Sequence, residues 1–460
     1  MRRVLWLLPF LLCLSSAAAQ EMDWATYQDE AVRRLSRYLQ VNTSNPPGNE
    51  LAGARFFQQW FEAEGIEVEI FEIAPGRANL IARLRGDGSK RPLILANHTD
   101  VVRANAEAWR VEPFSGAIVD GYMYGRGALD MKGLGLAQAT VFVLLKREQV
   151  PLARDVIFLM TADEEVGLDG AEWLVEHKRE LLSEAEFLLT EGGQNLVEDG
   201  RIKFFGVDTA EKTPFWLRVR ARGTPGHGSR PQRDAASHRL ARAMARVVDW
   251  ETPIHLLPGV EKFFRDVAPQ ESDERAWKFR HLREAIEEPE FLASLTGDGQ
   301  YNYLLRNTVS LTVLRGSEQT NVIPGEALAH LDVRLLPGQK PEDFLEQLRH
   351  VMGDASLEIE PLLPFRPANE SSIDTDLFRA IEAAVEQEFP GSIVTTRMLS
   401  GYTESGLYRE LGIACYGFSP FLLTREEGAG VHGDNESLSV ENVRRGVRFL
   451  YQVVEPVVRR

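Results

Sequence analysis

The chain has 460 residues, 44% of them hydrophobic and 26% charged, a mix that excludes disorder and fibrous or collagen-like architecture. Its 52 basic and 68 acidic residues leave a formal net charge of −16, which argues against a broad nucleic-acid-binding surface. The length allows two or three domains, each able to bury its own core.

At the N-terminus, Arg2 and Arg3 precede an apolar run at 4–14 that is too short to span a bilayer. Ala17-Ala18-Ala19 then forms a small-residue cleavage site. Residues 1–19 therefore read as a secretory signal peptide of the general export route, with an uncleaved anchor as the alternative. Its removal takes away two arginines and no acids, moving the formal charge from −16 to −18. The mature chain is expected in the periplasm or outside the cell, with no membrane span. Cys13 leaves with the leader, so Cys415 stands alone. It lies in the apolar stretch Ile413-Ala414-Cys415-Tyr416 and reads as a buried structural thiol.

Residues 21–40 and 51–64 are predicted helices, with the turn signal Asn45-Pro46-Pro47-Gly48 between them. Three short, nearly continuous apolar runs follow, at 92–96, 156–160 and 187–189. Such runs suit strands covered on both faces. Helical patterns near 131–147 and 170–182 alternate with them, which predicts an α/β fold with a mostly parallel sheet. After about residue 211 the pattern changes. Leu217, Val219 and Ala221 alternate with arginines. Val309, Leu311 and Val313 alternate with Ser310 and Thr312, and Leu331, Val333 and Leu335 with Asp332 and Arg334. Strands with a period of two and one wet face predict an antiparallel sheet. Two helices, at 235–248 and at 341–352 behind Pro341, accompany it. Residues 212–363 thus read as an inserted α+β domain between two parts of the first domain, 20–211 and 364–460. The charged stretch 259–300 is expected to be a helical excursion within the insert, and the sequence assigns it no role.

The three apolar runs end in similar chemistry. The first leads into Asn97-His98-Thr99-Asp100, the second into Asp163-Glu164-Glu165, and the third into Glu191-Gly192-Gly193. Asp130 closes the glycine-containing segment 125–130, and His432 lies in the loop Gly430-Val431-His432-Gly433-Asp434. Sites in open α/β sheets form outside the carboxyl ends of the strands. Singly, each residue has a plain reading: a hydrogen-bonded His98, Asp130 as a helix cap, Glu164 and Glu165 in a solvated turn. Together, two imidazoles and several carboxylates at one sheet edge call for cations, and nitrogen and oxygen ligands suit zinc. Asp100, two residues beyond His98, is placed to orient its ring.

The segments His98-Thr99-Asp100, 125–133, Asp163-Glu164-Glu165, Glu191-Gly192-Gly193, 223–229 and His432 resemble the signature of the co-catalytic di-zinc metallopeptidase family twenty. That family includes aminoacylases, carboxypeptidases and succinyl-diaminopimelate desuccinylase. The resemblance covers nearly the whole mature chain. Tyr416-Gly417-Phe418-Ser419-Pro420 followed by His432 is most similar to the carboxypeptidase S and aminoacylase branch.

The resemblance implies two zinc ions per chain, with cobalt or manganese as possible substitutes. Asp130 would bridge them. His98 and Glu191 would complete one site, and Glu165 and His432 the other. Glu164 would be the general base acting on a zinc-activated water, and the Asp130-Met131 peptide would be cis. His227, in Gly226-His227-Gly228, would donate to the oxyanion from the insert of a partner subunit. The insert would then be a dimerisation and lid domain, and the protein a homodimer. Asn321 and Arg334 match positions that hold substrate, with Gly401 and Thr403 adding backbone and hydroxyl contacts. Arg334 has two readings, a clamp on a substrate carboxylate or a structural ion pair. Here the sequence departs from relatives that carry an aspartate near Glu404.

The implied reaction is cleavage of an amide next to a free-carboxylate amino acid. The substrate is a short peptide, as for a carboxypeptidase, or an N-acyl amino acid. A non-catalytic exported solute receptor is disfavoured, because Glu164 and all five ligand positions are present. A nucleotide-binding protein is disfavoured because 125–135 lacks the third glycine of a dinucleotide fingerprint, and no phosphate-loop lysine-serine pair occurs. His177, His238 and His350 lie in polar helical contexts and read as surface residues.

Overall fold

Short apolar runs with polar ends become the centre of a ten-stranded sheet. The computed structural model describes residues 22–460, so the expected leader at 1–19 lies outside the described residues. Strand Leu93–His98 pairs in parallel with Val156–Thr161 on one side and Phe187–Thr190 on the other. Every residue of these three strands is buried, as their lack of alternation requires. Strand Ala414–Gly417 extends the parallel centre beside Phe187–Thr190.

Antiparallel pairs flank this centre. The hairpin of Val68–Ala74 and Arg77–Leu84 closes one side. On the other, Gln194–Glu198 pairs with Arg201–Glu211, and Val394–Leu399 and Leu422–Thr424 join these two in parallel. The predicted helices appear as Trp24–Leu39, Glu50–Ala63 and Lys132–Arg147. Lys132–Arg147 is buried from Lys132 to Leu145, so it is a core helix without a wet face. The expected helix at 170–182 forms two pieces, Asp169–His177 and Arg179–Ser183, because Lys178 between them leaves helical geometry at φ −126°.

The antiparallel sheet has five strands. From Ala327 onward, Glu326–Leu335 alternates buried and half-buried residues, and it pairs with both Leu217–Arg222 and Thr308–Arg315. Helices Ala236–Val248 and Pro341–Met352 cover its apolar face, and Leu217, Val219, Leu331, Val333, Leu240 and Leu348 form that core. Proline opens the second helix, where a missing N–H costs nothing.

The stretch at 259–300 is helical, as expected, running from Pro258–Val267 to Gly299–Leu305. It keeps its own apolar cluster, in which Val260, Phe264 and Val267 join Ala210, Leu336 and Met398. By packing, it therefore leans on strands of the large sheet and is not part of the insert's core. Cys415 is buried and unpaired, and burial pushes its thiol up to about 12, as an inert core thiol requires. His177, His238 and His350 are exposed.

Phe158 sits fully buried, with the rings of Phe57, Phe61 and Phe142 at 5.1, 5.1 and 5.9 Å. Phe158→Ala should remove about 3–5 kcal/mol of stability, read as a lowered midpoint in urea unfolding.

Candidate metal centre

Parallel pairing brings the carboxyl ends of the central strands to one edge, where their polar tails meet. His98 is the last residue of its strand, and its backbone N–H donates to Met131 Sδ at 3.2 Å. Its Nε2 lies 3.1 Å from Asp130 Oδ1 and 3.3 Å from Glu191 Oε2. His432 Nε2 lies 3.1 Å from Asp130 Oδ2 and 3.1 Å from Glu165 Oε2. The two oxygens of Asp130 thus face different imidazoles. Two groups of potential ligands result, His98 with Asp130 and Glu191, and Asp130 with Glu165 and His432. The Asp130-Met131 peptide is cis.

Glu164 belongs to neither group, and its Oε2 stands 3.9 Å from His98 Nε2. Adjacent residues point apart, so Glu165 turns to His432 while Glu164 turns to His98. Asp100 sits beneath both glutamates. Its carboxylate accepts from the backbone N–H of Glu164 and of Glu165, each at 3.1 Å. The ring Nδ1–H of His98 donates to the Asp100 carbonyl oxygen at 3.0 Å, with the carboxylate at 3.6 Å.

These groups are mostly of one sign, with His98 buried, the carboxylates of Asp130, Glu164, Glu165 and Glu191 half-buried and His432 exposed. Burial pushes Glu191 up to about 7, with His98 opposing the rise and Asp130 and Glu165 adding to it. Burial, then the charge of Glu191, raises Glu164 well above the ordinary carboxylate range. Hydrogen bonds with Asp130 and Glu165 push His432 up to about 10. Burial opposes the charge of Asp130, yet hydrogen bonds from His432 and His98 hold it well below its usual value. Glu165 Oε1 is buried without a partner among the described residues. Two imidazoles, three carboxylates and an orphaned buried oxygen fit divalent cations.

The remaining expected residues lie elsewhere. His227 is exposed on the short ribbon pairing Gly226–His227 with Val322–Ile323. Its Nδ1 accepts from the Ser229 backbone N–H at 3.1 Å and faces Ser229 Oγ at 2.8 Å, which leaves Nε2 as the donor in the neutral ring. The ribbon sets Asn321 beside it, and Asn321 O accepts from the Gly228 N–H at 2.7 Å. Arg334 donates from Nε and Nη2 to the two oxygens of Asp332, at 2.8 and 3.3 Å. Thr403 donates from its backbone N–H and its hydroxyl to buried Glu211, at 3.0 and 2.9 Å. Gly401 is half-buried just past strand Val394–Leu399. No hydrogen bond or ion pair joins these residues to the cluster among the described residues.

Four residues around the cluster had no site role in the sequence reading. Asn45, read only as part of a turn, donates from Nδ2 to Asp100 at 2.9 Å and to Asp163 at 2.7 Å. Arg77, itself paired with buried Glu50, donates to the same Asp163 at 2.7 Å. Glu404 is buried and driven up to about 8 by desolvation, with Glu191 and Asp100 among the acids that add to the rise. Glu436, four residues past His432, is buried beneath the Asp130 loop.

An α/β sheet whose carboxyl edge carries two potential metal-ligand groups around one shared carboxylate belongs to the class of metallohydrolases. The chain matches Peptidase family M20/M25/M40 over residues 94–455. It is 30% identical over 448 residues to the N-fatty-acyl-amino acid synthase/hydrolase PM20D1 of Xenopus tropicalis, covering 93% of this chain and 85% of that one. It is 28% identical over 431 residues to aminoacylase-1B of Rattus norvegicus, covering 92% of this chain and 94% of that one. Its fold is similar to that of the M20 family metallo-carboxypeptidase Sso-CP2 of Sulfolobus solfataricus, with a TM-score of 0.67 at 19% identity over 93% of this chain and 99% of that one. The chain belongs to Peptidase family M20/M25/M40 and is a hydrolase of amide or peptide bonds.

The Asn45 amide separates two buried acids, so its loss exposes their repulsion. Asn45→Ala should cost about 1–3 kcal/mol in urea unfolding. Asn45→Asp should cost more than Asn45→Ala at pH 8. That excess should shrink as pH falls through the carboxylate range, because protonation removes the repulsion.

Proposed function

We propose that this chain is an exported hydrolase that cleaves the amide next to a free-carboxylate amino acid. The observation that carries the reading is Asp130 between His98 and His432, 3.1 Å from each, with Glu164 beside them. Two divalent cations at these groups, zinc or its substitutes cobalt and manganese, would acidify water and polarise the scissile carbonyl. His98, Asp130 and Glu191 would hold one, and Asp130, Glu165 and His432 the other.

The chain's own residues do the rest. Glu164 takes a proton from the attacking water at a carboxylate oxygen and returns it to the leaving nitrogen. Asp100 fixes the backbone of Glu164 and Glu165 and accepts from the ring N–H of His98 at its carbonyl, so it positions the base and two ligands. His227 offers Nε2–H to the oxyanion. In this reading it comes from the insert, 212–363, of a second copy, which makes the protein a homodimer with a closing lid. Asn321 borders the same donor. Arg334 keeps Nη1 for a substrate carboxylate while Asp332 holds Nε and Nη2. Gly401 and Thr403 border the acyl side.

Two substrates share this chemistry, short peptides and N-acyl amino acids. The name of the first relative above, an N-fatty-acyl-amino acid synthase/hydrolase, supports the second. Among the described residues no helix is long and apolar enough to cross a membrane. The leader at 1–19 supports export to the periplasm or beyond.

Glu164→Gln should keep the bound metal and lose about 10²–10⁴-fold in kcat, measured beside metal content per chain. Near-native turnover would exclude Glu164 as the base. Wild-type protein assayed on dipeptides and N-acyl amino acids, with and without a chelator, should hydrolyse the N-acyl series in a chelator-sensitive way. His227→Ala should lose about 10²–10³-fold. Mixed dimers of Glu164→Gln and His227→Ala chains should regain part of the activity if His227 acts across the interface. No recovery on mixing would refute supply in trans.

A further inference from the structure

We infer that Glu436 is a positioning residue that sets the affinity of the outer of the two cation sites. The inference rests on the two-cation reading above. Glu436 is 1% exposed, and both its oxygens are taken. Oε1 accepts from the backbone N–H of Leu129 at 2.7 Å and of Asp130 at 3.1 Å. Oε2 accepts from the Gly127 N–H at 3.1 Å and from Arg126 Nη1 at 2.6 Å. The other Arg126 nitrogen, Nη2, donates to the His432 carbonyl oxygen at 3.2 Å. One carboxylate thus gathers the loop that carries the shared ligand. Through Arg126 it also ties down the backbone of the exposed ligand.

The two sites depend on this anchor unequally. The inner group takes His98 from a strand paired on both sides and Glu191 from the end of another buried strand. Only its third member, Asp130, hangs on Glu436. The outer group takes both Asp130 and His432 from backbone that Glu436 and Arg126 secure, and only Glu165 from elsewhere. The rest of the loop is held at Asn435, which accepts from the Arg110 backbone N–H at 2.6 Å, and at Glu427, which accepts from the Tyr122 hydroxyl at 3.0 Å, but neither bond reaches the His432 backbone. No residue from 422 to 435 is buried, Glu436 is the next buried residue, and His432 itself sits at φ 61° with its side chain 48% exposed. A carboxylate is needed because every group facing it is an N–H donor. An amide would turn one of its own N–H groups toward them.

The test is titration of metal-free protein with Zn²⁺, followed by calorimetry, and with Co²⁺, followed by its visible absorption. Wild-type protein should take two ions. Glu436→Gln should bind the inner ion within about threefold of wild type and the outer ion at least tenfold more weakly. Arg126→Ala, which breaks the tie to His432 and leaves the three backbone bonds, should also weaken the outer ion selectively. An outer affinity within threefold of wild type in both variants would overturn the inference. So would equal weakening of both ions together with a lowered melting temperature of the metal-free protein, which marks a general structural role. Failure of the two-cation reading shows separately, as fewer than two ions in the wild type, and would remove the inference with it.

Discussion

Carboxylates gathered out of water repel one another, and burial adds to the cost of each charge. This chain brings Asp130, Glu164, Glu165 and Glu191 to one sheet edge, with Glu404 close behind. Two histidines offset part of the charge, and Asp130 stands between them. Burial raises both Glu191 and Glu164, and neighbouring acids add to the rise. An acid cluster of this kind is stable as a resident feature when positive ions share it. The affinity for cations is therefore a property of the arrangement and not of any single residue.

Buried acids also hold the site in place. Asp100 accepts from two consecutive backbone N–H groups and so fixes the turn that splits Glu164 from Glu165. Asn45 and Arg77 keep Asp100 and Asp163 apart in charge while linking them in space. Glu436 plays the corresponding part under Asp130. Both oxygens of Asp100 and of Glu436 are partnered, whereas the candidate ligand Glu165 keeps a buried oxygen without a partner among the described residues. Burial differs as well: Asp100, Asp163 and Glu436 are buried, whereas Asp130, Glu164, Glu165 and Glu191 are half-buried.

Periodicity and punctuation made much of the fold legible. Continuous apolar runs marked the central strands, alternation marked the antiparallel sheet, and Pro341 marked a helix start. The candidate ligand groups stood out because each follows a strand or a glycine-flanked turn, so local order already placed them at strand ends. The excursion at 259–300 was legible as helix but not in its packing. Its charged faces gave no sign that Val260 and Phe264 would lie against Ala210 and Met398, which are far away in the chain. The reading of Arg334 stayed open for the same reason, because a fork two residues from an acid can serve either a substrate or that acid.

The amino-acid sequence alone thus determines the element types, the strand ends that carry the chemistry, and the donor set of two imidazoles and the acids around them. These depend on periods and neighbours a few residues apart. Only the tertiary structure decides which acids are held by donors from remote segments. Asn45 meets Asp100, and Arg126 meets Glu436 and the His432 carbonyl, across hundreds of residues in the second case. Such contacts leave no period to read. They are fixed by the sheet order, which sets the three central strands side by side and sends their carboxyl ends to a common edge.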